Sequence, residues 1–200
     1  NLDKEIIVVD DYSKDSSLKI IEKYSQKIKI IKHKKNLGKG AAIKSAIRFC
    51  NNKYTIIQDA DLEYNPKDIV SLYHYAVKND SKVVFGSRVL NKKLRQNSYF
   101  FGKIANFIFT NLNNIFNNNK LTDLHTCYKL LDTNLFKSIE LTRDGFSFCV
   151  EITIKIQKKG ISIKEFPISY TGRSYKDGKK IKLSDAFDAL YSIFYFNLKY

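Results

Sequence analysis

Tyr54-Thr55-Ile56-Ile57-Gln58-Asp59-Ala60-Asp61-Leu62-Glu63 is the stretch on which the reading of this chain turns. A short apolar run stops in three acids spaced by two, and Asn65-Pro66 then opens a helix-like segment. A strand buried on both faces reads as such a run. In an open α/β sheet, ligands bind just beyond the carboxyl ends of the strands. Three carboxylates this close repel one another unless a cation or a ring of donors stands between them. Hard oxygen ligands suit Mg²⁺ or Mn²⁺. Standing alone, an Asp-x-Asp is as well explained by a solvated strand end, so its neighbours carry the argument.

The pattern repeats on both sides. Glu5-Ile6-Ile7-Val8-Val9 is a buried-strand run closed by Asp10-Asp11, and Val83-Val84-Phe85-Gly86 is another closed by Ser87-Arg88. Between them lie a short strand over Ile28–Ile31, a helix over Ala41–Cys50 and a helix from Pro66 to about Val77. Alternating strands and helices predict an α/β fold whose sheet is mainly parallel and flanked by helices. Three polar strand ends then gather at one edge. Asp10 and Asp11 there suit hydrogen bonds from a base or ribose, or simple capping. Gly38-Lys39-Gly40 before a helix offers free N–H groups and a cation to a phosphate, without P-loop spacing. Arg88 has the fork for a phosphate.

The second half is more aromatic. Tyr99 to Phe116 and the stretch after Ser184-Asp185 read as amphipathic helices, suited to core packing or to a bilayer surface. Phe146 to Lys158 is a helix closed by Gly160. Cys127–Leu131 is a strand, and Ile163–Tyr170 is an edge or bulged strand because of Pro167. Arg173, Lys176, Lys179 and Lys180 crowd one loop.

The bulk properties agree with one domain. The chain has 200 residues, 44% of them hydrophobic, with Lys+Arg 35 against Asp+Glu 20 and a formal charge of +15. That balance calls for an anionic partner. The three scattered cysteines form no disulfide framework, and neither they nor the histidines show zinc spacing. No apolar run approaches the ~20 residues that span a bilayer. A nucleic-acid-binding module would use the charge and the aromatics, but the acids at the strand ends argue against it. The chain contains no Met, and its first strand lies close to residue 1.

In order along the chain, Ile7-Val8-Val9-Asp10-Asp11-Tyr12-Ser13-Lys14-Asp15, Asn36-Leu37-Gly38-Lys39-Gly40-Ala41-Ala42, Gln58-Asp59-Ala60-Asp61-Leu62-Glu63 and Phe85-Gly86-Ser87-Arg88 resemble glycosyltransferase family 2. Thr122-Asp123-Leu124-His125-Thr126-Cys127-Tyr128-Lys129 and Phe166–Tyr175 with Gly178-Lys179-Lys180 resemble its dolichyl- or polyprenyl-phosphate mannosyl or glucosyl synthases. The resemblance implies a single GT-A domain that lacks its first strand, the segment that lines the nucleotide pocket. Residues 1–95 would be its nucleotide-sugar half and 96–200 its acceptor half. It also implies inverting transfer of a hexose from a nucleoside-diphosphate sugar, such as GDP-mannose or UDP-glucose.

By position, Asp10, Asp11, Lys39 and Asp59 would hold the donor. Asp59, Asp61 and Glu63 would hold Mg²⁺ or Mn²⁺, although many relatives carry Gln at the Glu63 position. Arg88, Arg173 and Lys179 would bind phosphate, and Asp123 would lie near the sugar or acceptor. Asp61, Asp123 and Arg88 are thus the candidate catalytic residues. A polyprenyl phosphate is already anionic and needs no general base, whereas a glycan hydroxyl would require one, Asp123 or Glu151. The expected setting is peripheral, on the cytoplasmic face of a membrane, with no obligate protein partner.

Overall fold

The computed structural model describes residues 2–96, 100–173 and 183–200. The elements run β1 (Ile7–Asp10), α1 (Ser17–Glu22), β2 (Lys29–Lys32), α2 (Lys39–Ile47), β3 (Tyr54–Ile56), α3 (Lys67–Lys78), β4 (Val83–Ser87) and β5 (Arg95–Gln96). They continue with α4 (Phe100–Asn117), β6 (Lys129–Asp132), α5 (Thr133–Ser138), α6 (Phe148–Lys158), β7 (Lys164–Pro167), β8 (Tyr170–Thr171) and α7 (Leu183–Lys199).

The central sheet has the order β3-β6-β4-β7, while β1 pairs with β2, and β5 with β8, as separate parallel ladders. β6 is antiparallel to both β3 and β4, and β7 is parallel to β4. β3 and β4 therefore run in the same direction on either side of β6. Their carboxyl ends, with Asp59–Glu63 and Ser87–Arg88, face one edge. The mixed sheet keeps the predicted class, and Pro167 does sit on the outermost strand of its ladder.

Alternation along β4 and β6 builds two cores. Val83, Phe85 and Leu131 pack with Phe148, Ile152 and Ile156 of α6, while Val84 and Leu130 pack with Leu72 and Ala76 of α3. Successive side chains point to opposite faces of a strand, so each buried strand serves both layers.

The Gly38-Lys39-Gly40 turn is held against the loop at 143–145. Gly38 has a φ of 97°, and a Cβ on Gly40 would stand 2.2 Å from the Arg143 carbonyl oxygen. The Ala41 N–H also donates to the Asp144 carbonyl at 3.1 Å. We expect Gly40→Ala to destabilise by about 3 kcal/mol in urea denaturation, since backbone is the obstacle. Gly145→Ala, with open space around its Cβ, is expected to shift the midpoint by less than about 0.5 kcal/mol.

α4 turns a mixed face inward. Asn106, Thr110 and Asn113 are buried beside Phe109 and Leu112, which pack on the core, whereas Phe107 is 69% and Ile115 78% exposed. Beside it α7 buries Ala189, Ile193 and Phe196 against Val150 and Ile154 of α6, yet leaves Phe187 67% and Leu198 79% exposed. Phe116 and Phe194 meet edge to face at 5.5 Å between the two helices. Of the described residues, no helix is long and apolar enough to cross a membrane.

Candidate active site

The polar strand ends are held by one local contact at Asp10 and by contacts distant in sequence at the others. Asp10 is buried, and its carboxylate accepts the Ser13 N–H at 3.3 Å. Asp11 accepts the Leu37 and Gly38 N–H groups at 2.8 and 2.7 Å and pairs with His33 Nδ1 at 2.7 Å. His33 Nε2 in turn lies 2.9 Å from Ser45 Oγ on α2. Burial raises the Asp11 carboxyl, but His33 and the two N–H groups outweigh it and hold it below the usual value. Asp11 thus fastens the glycine turn to β1, which positions Lys39. Two non-glycine residues with positive φ follow strand ends, Tyr12 at 67° and Leu62 at 61°. Strained backbone of this kind gathers at functional sites.

The three acids of the opening stretch are shared between two cations. Lys39 Nζ donates to Asp59 Oδ2 at 2.6 Å. Arg173 Nη2 donates to Asp61 Oδ2 at 3.1 Å, and Arg173 Nε lies 3.5 Å from Glu63 Oε1. Glu63 Oε1 accepts the Arg173 N–H at 2.9 Å, and Glu63 Oε2 accepts the Tyr170 hydroxyl at 2.9 Å. Burial, then the Asp59 and Glu63 carboxylates, push the Asp61 carboxyl up, which the Glu63 N–H and Arg173 only partly oppose.

Among the described residues, no three His, Cys, Asp or Glu side chains converge so as to hold a metal. The expected trio of Asp59, Asp61 and Glu63 is therefore not assembled as a cage. The donor set still fits a hard cation held by few protein oxygens plus a diphosphate. What supports that fit is Asp61, half-buried beside two like charges.

Arg88 and Asp123 close on each other. Arg88 Nε donates to Asp123 Oδ2 and Nη2 to Oδ1, both at 2.7 Å, and the Arg88 N–H adds a third bond at 3.0 Å. Asp123 is 0% exposed. Burial raises its carboxyl, but the Arg88 charge and hydrogen bonds outweigh that and hold it low. The Arg88 fork, expected on a phosphate, is spent on this carboxylate, and Asp123 is no poised base. Glu151, the other candidate base, is likewise occupied. It accepts from the Thr142 and Arg143 N–H groups and from Lys155 Nζ, each at 2.8 Å.

Sequence reasoning missed the supports of this pair. Glu165 accepts the Thr122 and Asp123 N–H groups at 2.8 and 3.1 Å. Lys129 is fully buried, its Nζ bonded to the Leu124 carbonyl at 2.9 Å and lying 4.0 Å from the Phe85 ring centre. His125 packs on Phe109 at 5.6 Å. Burial, aided by the Lys129 and Arg88 charges, lowers its pKa to about 4 from 6.5. A depressed histidine adds stability that is complete above its unfolded value and is lost as pH falls toward the folded one. Wild-type stability is therefore expected to fall by about 2 kcal/mol from pH 6.5 to 4 through this group, a slope that His125→Leu flattens in pH-dependent thermal melts. Of the late basic loop only Arg173 can be placed; Lys176, Lys179 and Lys180 lie outside the described residues.

The fold and this acid-lined edge define an α/β domain of the GT-A type. A crystal structure of glucosyl-3-phosphoglycerate synthase from Mycobacterium tuberculosis, in complex with Mn²⁺, UDP and glucosyl-3-phosphoglycerate, shares the fold. Its TM-score is 0.72 at 12% identity, covering 96% of this chain and 68% of that one. The family model for glycosyl transferase family 2 matches residues 1–140, and the chain belongs to that family. It is 31% identical to a dolichyl-phosphate beta-glucosyltransferase of Dictyostelium discoideum over 181 residues, 84% of this chain and 55% of that protein. It is 27% identical to a dolichol-phosphate mannosyltransferase of Pyrococcus furiosus over 197 residues, 96% of this chain and 55% of that protein. The chain thus spans about half the length of these two relatives.

Proposed function

We propose that this chain is the catalytic domain of a metal-dependent, inverting hexosyltransferase that moves a sugar from a nucleoside-diphosphate donor to a polyprenyl phosphate. The observation that carries the reading is the closed Arg88–Asp123 pair. A carboxylate held low and wrapped by a guanidinium does not take a proton near neutral pH, and Glu151 is equally engaged. An acceptor hydroxyl would need such a base, whereas a phosphate monoester attacks already ionised. The names of the two dolichyl-phosphate relatives support the same acceptor class.

In this reading Asp61, with Asp59 or Glu63, would hold Mg²⁺ or Mn²⁺ together with the donor diphosphate, and the ion when bound would supply charge stabilisation to a departing diphosphate. Lys39 holds Asp59 in place from the glycine turn. Arg88, fixed over the Tyr170 ring at 5.1 Å and paired with Asp123, holds the loop at 122–124 against the end of β4. The outward apolar faces of α4 and α7 suit a bilayer surface, where a prenyl tail resides. This supports a peripheral position, which we assign to the cytoplasmic face.

The test is transfer by the full-length protein from radiolabelled GDP-mannose and UDP-glucose to a short polyprenyl phosphate. Label entering the organic phase with either donor and Mg²⁺ is expected. Label that stays aqueous with both donors overturns the reading, and label on a saccharide acceptor reassigns the acceptor to a hydroxyl.

A further inference from the structure

We propose that Arg173 is the resident counter-ion of the Asp61–Glu63 position, and that its guanidinium exchanges with the divalent ion when donor binds. The inference rests on the reading of Asp61 as a metal-holding residue and goes beyond it.

The guanidinium lies between the two acids. Nη2 is 3.1 Å from Asp61 Oδ2 and Nε is 3.5 Å from Glu63 Oε1. These are the oxygens that a hard cation would use, so guanidinium and metal ion compete for one position. The charges match the exchange. Three carboxylates, Asp59, Asp61 and Glu63, face two cations, Lys39 and Arg173, which leaves one negative charge uncompensated. A divalent ion in place of the guanidinium brings the cluster to neutrality. The released guanidinium then meets the negative charge of the incoming diphosphate, for which its fork is suited.

The anchoring allows the side chain to move without the backbone. The Arg173 N–H binds Glu63 Oε1 at 2.9 Å, the Tyr170 hydroxyl binds Glu63 Oε2 at 2.9 Å, and the Thr171 N–H binds the Glu63 carbonyl at 3.0 Å. None of these bonds involves the guanidinium. The Arg173 side chain is 35% exposed, against 11% for Glu63, so the guanidinium is the more solvent-accessible partner of the pair. A surface-accessible ion pair of this kind is weak, on the order of 0–1 kcal/mol, which suits a partner that must leave.

Two opposite effects on one variant follow. By linkage, a side chain that competes with the metal and then assists the nucleotide couples the two ligands positively. We would titrate Mn²⁺, followed by electron paramagnetic resonance of the free ion, into full-length wild type, Arg173→Gln, Arg173→Lys and Asp61→Asn, each with and without UDP or GDP. Without nucleotide, Arg173→Gln is expected to bind Mn²⁺ up to about 5-fold tighter than wild type, the most that releasing a pair of about 1 kcal/mol allows, with Arg173→Lys near wild type. With Mn²⁺ saturating, Arg173→Gln is expected to bind the nucleoside diphosphate about 10-fold more weakly. Unchanged or weaker Mn²⁺ binding by Arg173→Gln, with binding abolished in Asp61→Asn, overturns the exchange and leaves the metal reading standing. Mn²⁺ binding that survives Asp61→Asn overturns the metal reading itself.

Discussion

Asp61→Asn is expected to lower kcat/KM for sugar transfer at least about 1,000-fold, a loss near 4 kcal/mol of transition-state stabilisation. The substitution changes neither the size nor the shape of the side chain. It removes one negative charge from the position at which a divalent ion would meet the diphosphate, and charge stabilisation of this kind contributes more to catalysis than most other effects. The same charge is a burden to the fold, since Asp61 is half-buried and its carboxyl is pushed up by burial and by the Asp59 and Glu63 carboxylates. A carboxyl raised in the folded state is ionised at neutral pH only against the preference of the fold. The melting temperature of Asp61→Asn at neutral pH is therefore expected to equal or exceed that of wild type. Activity lost while stability is kept is the mark of a residue retained for function. Transfer assays with dolichyl or shorter polyprenyl phosphate, run beside thermal melts, check both halves. A variant within about 10-fold of wild-type activity removes Asp61 from the metal position.

What the sequence disclosed divides by range. β1, β3 and β4 are legible because each is a local apolar run with an acid or arginine at its end, although only β4 is buried along its whole length. The direction of β6 is not local. Cys127–Leu131 reads as a strand, but nothing in those residues says that β6 runs backwards between β3 and β4. α5 is only six residues long, too short to show a helical period, and its visible sign is Asp132, whose carboxylate caps the Leu135 N–H at 2.9 Å. The acids of the site are legible by type and spacing, whereas their partners are not. Lys39 lies 20 residues before Asp59, Asp123 lies 35 residues after Arg88, and Arg173 lies 110 residues after Glu63. Charge pairing over such distances is decided by topology. Hence Arg88 and Arg173 read as phosphate ligands and emerge bound to carboxylates. α4 is the instructive case among the helices. Its period is plain, but periodicity does not say which face turns inward, and here Asn106 and Asn113 do.

Asp123→Asn is expected to destabilise the domain by about 3–5 kcal/mol, the usual range when one partner of a buried ion pair is removed. Asn keeps the shape, yet it leaves the Arg88 guanidinium enclosed with no anion against it. Nε, Nη2 and the Arg88 N–H all spend their hydrogen bonds on this one carboxylate. Urea denaturation should show a lower midpoint with an unchanged slope. The pH dependence has a defined sign. The Asp123 carboxyl is held below its ordinary value of 3.8, so its contribution is complete above that value and is lost as pH falls through the folded one. The gap between wild type and Asp123→Asn should therefore be constant at neutral pH and close only below about 3.8. A general base of this reaction would behave otherwise, with a carboxyl raised toward the working pH. Wild-type kcat should consequently show no ionisation near neutral pH that vanishes in Asp123→Asn, and Arg88→Ala should reproduce the stability loss from the other side. Equal losses in the two single variants, with little further loss in the double variant, would identify one cooperative pair. A neutral-pH limb that disappears with Asp123 would instead return that residue to proton transfer, and with it a hydroxyl acceptor.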